Sequence, residues 1–172
     1  MLLANRSTGI KARGYDTGYT ALNLAAKYGR ATVVKLLVSS GKIDGNSRES
    51  DGGYNALNFA SGCDHPEIVK LLLGHPSIDI KARGTKNGYT ALHVAFQNGF
   101  TNVAELLLGS ENIDVNIRRS HDGYATLQLA RQMEIRCEGG FESLGLNGFK
   151  ANGRGIHVPR TKSRLGTIKS LS

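Results

Sequence analysis

The sequence has few of the residues on which several classes of protein depend. Its 172 residues include no tryptophan, three prolines and two cysteines, Cys63 and Cys137. Two cysteines are too few for a disulfide-rich secreted scaffold or a zinc site of four cysteines. No apolar run approaches the roughly 18 residues of a membrane span, and the first residues are too short and polar for a signal-peptide core. We therefore expect an intracellular protein, in the cytoplasm or nucleus, with no membrane span.

Sequence motifs of catalysis are also missing. The five histidines form no recognisable metal-ligand spacing with cysteines or carboxylates. The sequence has no glycine-rich phosphate loop, nucleophile elbow or zinc-protease motif. We therefore predict that the protein is not an enzyme and uses no cofactor and no metal. His93 is interpreted as a residue that makes local hydrogen bonds.

What the sequence does have is a regular repeat of 35 residues, marked by the dipeptide Gly-Tyr. Self-similarity at a period of 20–50 residues is the signature of a stacked array. Ten positions are identical in three consecutive units, which span residues 18–52, 53–87 and 88–122. Gly-Tyr opens each unit and occurs again at 123–124. The repeat therefore predicts a solenoid.

The first half of each unit has the pattern of a short helix. Thr20, like Thr90 in the third unit, is typical of a helix N-cap. Leu22 and Leu24 are expected on the apolar side of this helix. Gly29 and its equivalents Asp64 and Gly99 are expected at the helix end, where a left-handed conformation is common.

A second helix follows in each unit, over 32–38, 67–73 and 102–108. Pro66 suits the first turn of the second of these. Leu36, Leu71 and Leu106 are predicted to be buried, and Leu71→Ala is expected to cost about 2–5 kcal/mol. Helices of two to three turns are not stable alone in water, so each unit must pack against its neighbours. The polar stretch after each second helix is interpreted as a projecting finger that joins successive units.

These units resemble ankyrin repeats. Gly-Tyr-Thr-Ala-Leu-His at 88–93 is similar to the start of the family's first helix, with Ala91 in the place of a proline. The segments at 103–108 and 113–116 resemble the family's second helix and its Ala-Asp-Val-Asn segment. The resemblance implies an all-α repeat solenoid of stacked helix-turn-helix units with projecting hairpin fingers. It also implies a module that binds another protein.

Both ends of the chain depart from the repeat. Residues 1–17 match only the end of a second helix and its finger, as though cut from a longer array. The array itself is expected to span 18–138, closing with one longer helix at about 124–137. Residues 139–172 are glycine-rich, and from Leu144 onward they carry six basic residues and no acidic one. We expect a disordered basic tail there, which accounts for most of the net charge of +8.

Two rows of side chains recur at the repeat interval and are candidate partner-binding residues. The first row is Tyr19, Tyr54, Tyr89 and Tyr124. By the resemblance, it lies where finger meets first helix, on the concave face, and tyrosine there has the properties of a binding hot spot. The alternative is that each ring only packs on the neighbouring hairpin.

The second row lies in the fingers and consists of Arg13, Arg48, Arg83 and Arg118. Four more basic residues add to it, namely Lys11, Lys81, Lys86 and Arg119. Arginine favours planar acidic groups, so this row predicts a protein partner with an acidic or phosphorylated segment. The alternative is that these charges are only solvated.

The function predicted from the sequence is noncovalent binding of a partner protein, as a module or scaffold, by the concave face and the fingers of a monomer. Two alternatives stay open. The chain could be a fragment of a larger ankyrin-containing signalling protein. The basic tail could instead bind nucleic acid or acidic surfaces, although we expect no nucleic-acid partner for the array itself.

Overall fold

The structure is a computed structural model that describes residues 13–120 and residue 123. Within this part of the chain there are six α-helices and no β-strand beyond an isolated bridge between Arg13 and Thr20. The helices are α1 (Ala21–Lys27), α2 (Ala31–Ser39), α3 (Ala56–Gly62), α4 (Pro66–Leu73), α5 (Ala91–Asn98) and α6 (Thr101–Leu108). The prediction of an all-α repeat array with two helices per unit is confirmed.

The six helices form two layers. In the first layer α3 lies between α1 and α5, and in the second α4 lies between α2 and α6. Within each unit the two helices also pack on each other. Each first helix therefore contacts the first helix of the next unit, which sets equivalent residues of successive units side by side.

Local signals fix the ends of the helices. Thr20, Asn55 and Thr90 are the N-caps of α1, α3 and α5, and each side chain accepts a hydrogen bond from the backbone amide three residues on. In α5 the His93 ring in turn accepts from the Thr90 amide, which confirms the local role predicted for this histidine. Pro66 begins α4, as predicted.

The turn inside each unit requires a left-handed residue. Gly29, Asp64 and Gly99 have φ angles of 69°, 54° and 78°. Glycine takes this conformation without steric cost, and aspartate is one of the few other residues that tolerate it. The prediction that these three equivalent residues end the first helix of each unit, in a left-handed conformation, is confirmed.

The core differs from the prediction in the second helices. Leu72 and Leu107 are 0% exposed, whereas their predecessors Leu71 and Leu106 are only half-buried. Leu36, the equivalent in α2, is 68% exposed. The prediction that all three leucines are buried was therefore wrong for Leu36, whereas Leu71 and Leu106 pack against the core and stay partly exposed. Neighbouring helical residues point about 100° apart, so Leu72 and Leu107 face the core directly while Leu71 and Leu106 lie at its edge.

The first helices required a similar correction. Leu22 is 2% exposed and lies in the core, but Leu24 is 40% exposed. Residues two apart on a helix do not share a face. Leu24 therefore points away from the core. Its equivalents Phe59 and Val94 are only half-buried, and Phe59 packs against the edge of the core.

Backbone hydrogen bonds join one finger to the next. The amides of Ser50, Thr85 and Ser120 donate to carbonyls of the preceding finger, those of Thr17, Gly52 and Asn87, at 2.9, 2.7 and 3.0 Å. The glycine of each Gly-Tyr pair lies at this junction. Gly88 has a φ of 69°, and a Cβ there would lie 2.9 Å from the Ser120 backbone nitrogen. The repeated glycine is therefore required both by its conformation and by the approach of the next finger.

Some predictions fall on residues that the structure does not describe. They are the partial unit before residue 13, Tyr124 with the closing helix at 124–137, and the tail at 139–172. Among the residues that are described, no helix has the length and apolarity needed to cross a bilayer.

Candidate partner-binding face

Tyr19, Tyr54 and Tyr89 lie just before the N-caps of α1, α3 and α5, and all three are half-buried. We call these three residues the tyrosine row. Because the first helices pack side by side, the row follows one edge of the array. The structure thus brings together three of the four tyrosines predicted from the sequence, and Tyr124 lies outside the described residues.

The rings of the row are held by other rings. The Phe59 centroid is 5.3 Å from that of Tyr19 and 6.1 Å from that of Tyr54, so Phe59 lies against both tyrosines. The ring of Tyr89 stacks on His93, with centroids 5.9 Å apart. Half-buried aromatic rings in contact lose little conformational freedom when a partner binds. The row is therefore a preorganised surface.

A groove opens between the second and third repeat units, on the layer formed by the first helices. Its volume is about 340 Å³, near the lower end of the range for ligand pockets. Tyr54, Phe59 and Cys63 contribute one wall, and Tyr89 and Val94 contribute the other. We call this the inner groove. Its lining is apolar except for a few amide side chains, so it can bury an apolar side chain of a partner.

Each hydroxyl of the tyrosine row accepts a hydrogen bond. Lys27 Nζ donates to Tyr19 Oη at 3.3 Å, Asn87 Nδ2 donates to Tyr54 Oη at 2.6 Å, and an Arg119 guanidinium nitrogen donates to Tyr89 Oη at 2.8 Å. A phenol oxygen carries one proton of its own in addition to its lone pairs. Among the described residues these hydroxyls make no donated bond, so their protons are available to an acceptor.

Two cations lie over the rings of the row. Lys27 Nζ is 5.0 Å from the Tyr19 centroid and 5.8 Å from that of Phe59. The Arg119 guanidinium carbon is 5.2 Å from the Tyr89 centroid. These distances are typical of cation–π contacts. The hydrogen bond that Lys27 donates to Tyr19 raises the pKa of Lys27 above its ordinary 10.5, against the smaller opposing effect of desolvation.

The arginine row has a structural role that the sequence did not indicate. Arg48 donates to the backbone carbonyl of Arg83, and Arg83 donates to that of Arg118, both at 2.7 Å. Arg118 donates to the carbonyl of Gly123 at 3.0 Å. Arg13 is exposed. The Arg48 and Arg83 guanidinium groups therefore link consecutive fingers, whereas Arg118 bonds within its own finger. Since each guanidinium has five N–H donors, these bonds do not exhaust their capacity.

Two acidic residues that precede Tyr54 in the chain are paired with other groups. The Glu49 carboxylate is buried and accepts from the backbone amides of Asp51, Gly52 and Tyr54 at 2.5, 2.6 and 3.1 Å. Asp51 pairs with Lys86. The Glu49 carboxylate is thus bonded to neutral backbone amides, and the Asp51 carboxylate to the Lys86 ammonium. Asp64, which is exposed, lies beyond the C-terminal end of α3, in the turn before α4.

Sequence reasoning missed several residues of this face. Leu24, Phe59 and Val94 are equivalent positions that are apolar in every unit without being identical. They follow a buried leucine at a spacing of two, which in a helix places them on a different face. An apolar residue that varies between units and lies off the core face could have been recognised in the sequence as a candidate for the binding face. Lys27 has no basic equivalent in the other units, and its role depends on a contact with Tyr19 that spacing does not show.

The described part of the chain contains no cluster of three histidine, cysteine, aspartate or glutamate side chains suited to holding a metal. Cys63 is a free and exposed thiol at the C-cap of α3.

One comparison with known proteins gave a match. The family model described as ankyrin repeats (3 copies) matches residues 1–84 and 43–119. No curated protein matches the chain.

Proposed function

Because the chain belongs to the ankyrin repeat family, whose repeats are generally protein–protein interaction modules, we propose that it binds a partner protein through the tyrosine row and the inner groove. The observation that carries the proposal is the groove itself. Apolar surface is exposed on the layer of first helices by Tyr54, Phe59, Tyr89 and Val94. The fully buried core is made of other residues. An apolar patch that lines a groove of this kind is typical of a binding site.

The preorganisation of the face supports the same function. The backbone carbonyl of Tyr54 accepts from Glu49 N at 3.1 Å and from the Asn23 side chain at 3.3 Å, so the residue is fixed from two directions. Tyr89 is fixed by Asn87, whose side chain accepts from its amide at 3.0 Å. A partner would meet side chains already in place, which reduces the entropy lost on association.

The arginine row remains part of the proposed surface. Arg48 and Arg83 link consecutive fingers and Arg118 bonds within its own finger, and the remaining N–H groups of all three are suited to carboxylates or phosphates. A contribution of this row to an acidic or phosphorylated partner stays a prediction.

Quantitative affinity capture from a cell lysate tests the proposal. The double variant Tyr54→Ala/Tyr89→Ala removes both rings that line the inner groove. Tyr15→Ala serves as the matched control because Tyr15 is fully exposed and lies apart from the groove. We expect proteins retained by the wild type and the control to be lost with the double variant. If the same proteins are retained by all three, the groove is not the binding site.

The basic tail supplies the competing function, and the same experiment separates the two. Binding of phosphates by the tail weakens steeply with salt and disappears when residues 144–172 are deleted. Capture by the groove survives that deletion. Capture that requires the tail but not the two tyrosines would favour nucleic acid or an acidic surface.

A further inference from the structure

The junction between the first and second units is filled by large side chains of the chain itself. The Phe59 ring lies against Tyr19 and Tyr54, with centroids 5.3 and 6.1 Å away. Lys27 Nζ is 5.8 Å from the Phe59 centroid and 5.9 Å from that of Tyr28. A phenylalanine ring between two tyrosines, with a lysine and a third tyrosine beside it, therefore occupies the space between these two units.

The junction between the second and third units has smaller side chains at the same positions. The residues one repeat after Lys27, Tyr28 and Phe59 are, respectively, Gly62, Cys63 and Val94. All three of these smaller residues line the inner groove. A Cβ on Gly62 would lie 3.0 Å from Val94 Cγ1, so these two residues meet across the junction. The inner groove therefore lies where the second junction lacks the bulk of the first, and the first junction shows what fits that space.

The rings that would contact such an occupant are retained at the second junction. Tyr54 and Tyr89 both line the inner groove. They are the equivalents of Tyr19 and Tyr54, the two rings that contact Phe59 at the first junction. Aromatic rings in tilted or edge-to-face contact stabilise each other beyond the area that they bury. An aromatic ring in the groove would thus gain the contacts that Phe59 already makes.

The charge of the groove supports the same kind of occupant. Among the described residues that line it, none is acidic, basic or a histidine. A charged side chain entering the groove would lose hydration without meeting an opposite charge there, which is unfavourable. An uncharged ring has no such cost.

We infer that the inner groove binds an aromatic side chain of the partner protein, placed between Tyr54 and Tyr89 as Phe59 is placed between Tyr19 and Tyr54. The two tyrosines contact the ring, and the small side chains of Gly62 and Val94 leave room for it. The inference rests on the proposed function, since it names the side chain that the same site binds.

A groove-filling variant tests this inference. Val94→Phe supplies at the second junction the ring that Phe59 supplies at the first, so the chain's own ring should exclude that of the partner. Leu24→Phe is the matched control, because Leu24 is the equivalent residue of the first unit and is 40% exposed outside the groove. Thermal unfolding establishes that each variant is folded. Cys63→Tyr, which restores the equivalent of Tyr28, is the filling variant if Val94→Phe does not fold.

The probe is a library of short random peptides displayed on phage and selected on the immobilised full chain. Peptides retained by the wild type and by Leu24→Phe, but not by the filling variant, are bound in the groove. We expect these peptides to share an aromatic residue. Replacing that residue by leucine in a synthetic peptide should weaken its binding to the wild type about 2- to 12-fold by calorimetry.

The outcomes separate failure of the inference from failure of the proposed function. If the groove-bound peptides share an aliphatic or charged residue, or no residue, the groove is a docking site and the aromatic occupant is wrong. Equal affinity of the leucine peptide has the same meaning. If no peptide distinguishes the filling variant from the wild type, the groove binds no partner segment, and the proposed function fails with the inference.

Discussion

Arg48 donates a hydrogen bond to the backbone carbonyl of Arg83, its equivalent one repeat later, at 2.7 Å. The same bond recurs from Arg83 to Arg118. A row of arginines that looks from the sequence like a binding surface is thus also a set of links between fingers. One side chain per unit couples each repeat to the next, in addition to the backbone bonds at the same junction.

The arginine links predict a measurable loss of stability. Arg83→Met removes the bonds to the carbonyls of Arg118 and Gly88. Because the site is exposed, we expect a loss of about 0.5–1.5 kcal/mol in the free energy of unfolding. Lys81→Met is the matched control, as it removes a cation from an exposed position two residues away. Equal denaturant midpoints for the two variants would contradict the structural role of Arg83.

The two adjacent leucines of α4 predict unequal effects. Leu72 is 0% exposed and Leu71 is half-buried. Leu72→Ala should therefore lower the free energy of unfolding by about 2–5 kcal/mol. Leu71→Ala, with less area to lose, should cost about 1 kcal/mol. Denaturant unfolding of both variants compares them directly, and a larger loss at Leu71 would contradict the observed orientation of α4.

Replacing the glycine of a Gly-Tyr pair is expected to lower the free energy of unfolding by more than backbone strain alone would. Gly88→Ala places a Cβ 2.9 Å from the Ser120 backbone nitrogen at a φ of 69°. We expect a cost of about 1–2 kcal/mol for the left-handed conformation and a further 1–3 kcal/mol for the displaced finger. Gly41 has a φ of 63° but open space around it, so Gly41→Ala should show the first cost alone. Similar unfolding free energies for both variants would rule out a role for close finger approach.

The Lys27–Tyr19 hydrogen bond predicts that the free energy of unfolding depends on pH in the alkaline range. This bond raises the pKa of Lys27 in the folded protein above 10.5. A lysine with a raised folded pKa stabilises the protein at pH values below the unfolded pKa, and this contribution is lost as pH rises through the folded value. The difference in unfolding free energy between the wild type and Lys27→Met should therefore be constant at neutral pH and shrink above about pH 10.5. A difference that grows there would contradict the contact.

The helices and turns of this protein could be predicted from its sequence because their signals are local. Thr20 caps a helix through an amide three residues away, and Asp64 takes the left-handed turn within its own backbone. Repetition made each signal visible three times. The binding face was predictable only in part: the tyrosines were found by their period, whereas Phe59, Lys27 and the inner groove were not.

The sequence alone determined the period, the two helices per unit, their caps and the row of tyrosines, because each depends on residues within a few positions of one another. Stacking of the units decided the rest. It selected Leu72 over Leu71 for the core, gave Arg48 and Arg83 each a carbonyl 35 residues away, and set Phe59 between Tyr19 and Tyr54. These contacts join residues that the chain separates by a whole repeat, so they exist only once neighbouring units pack.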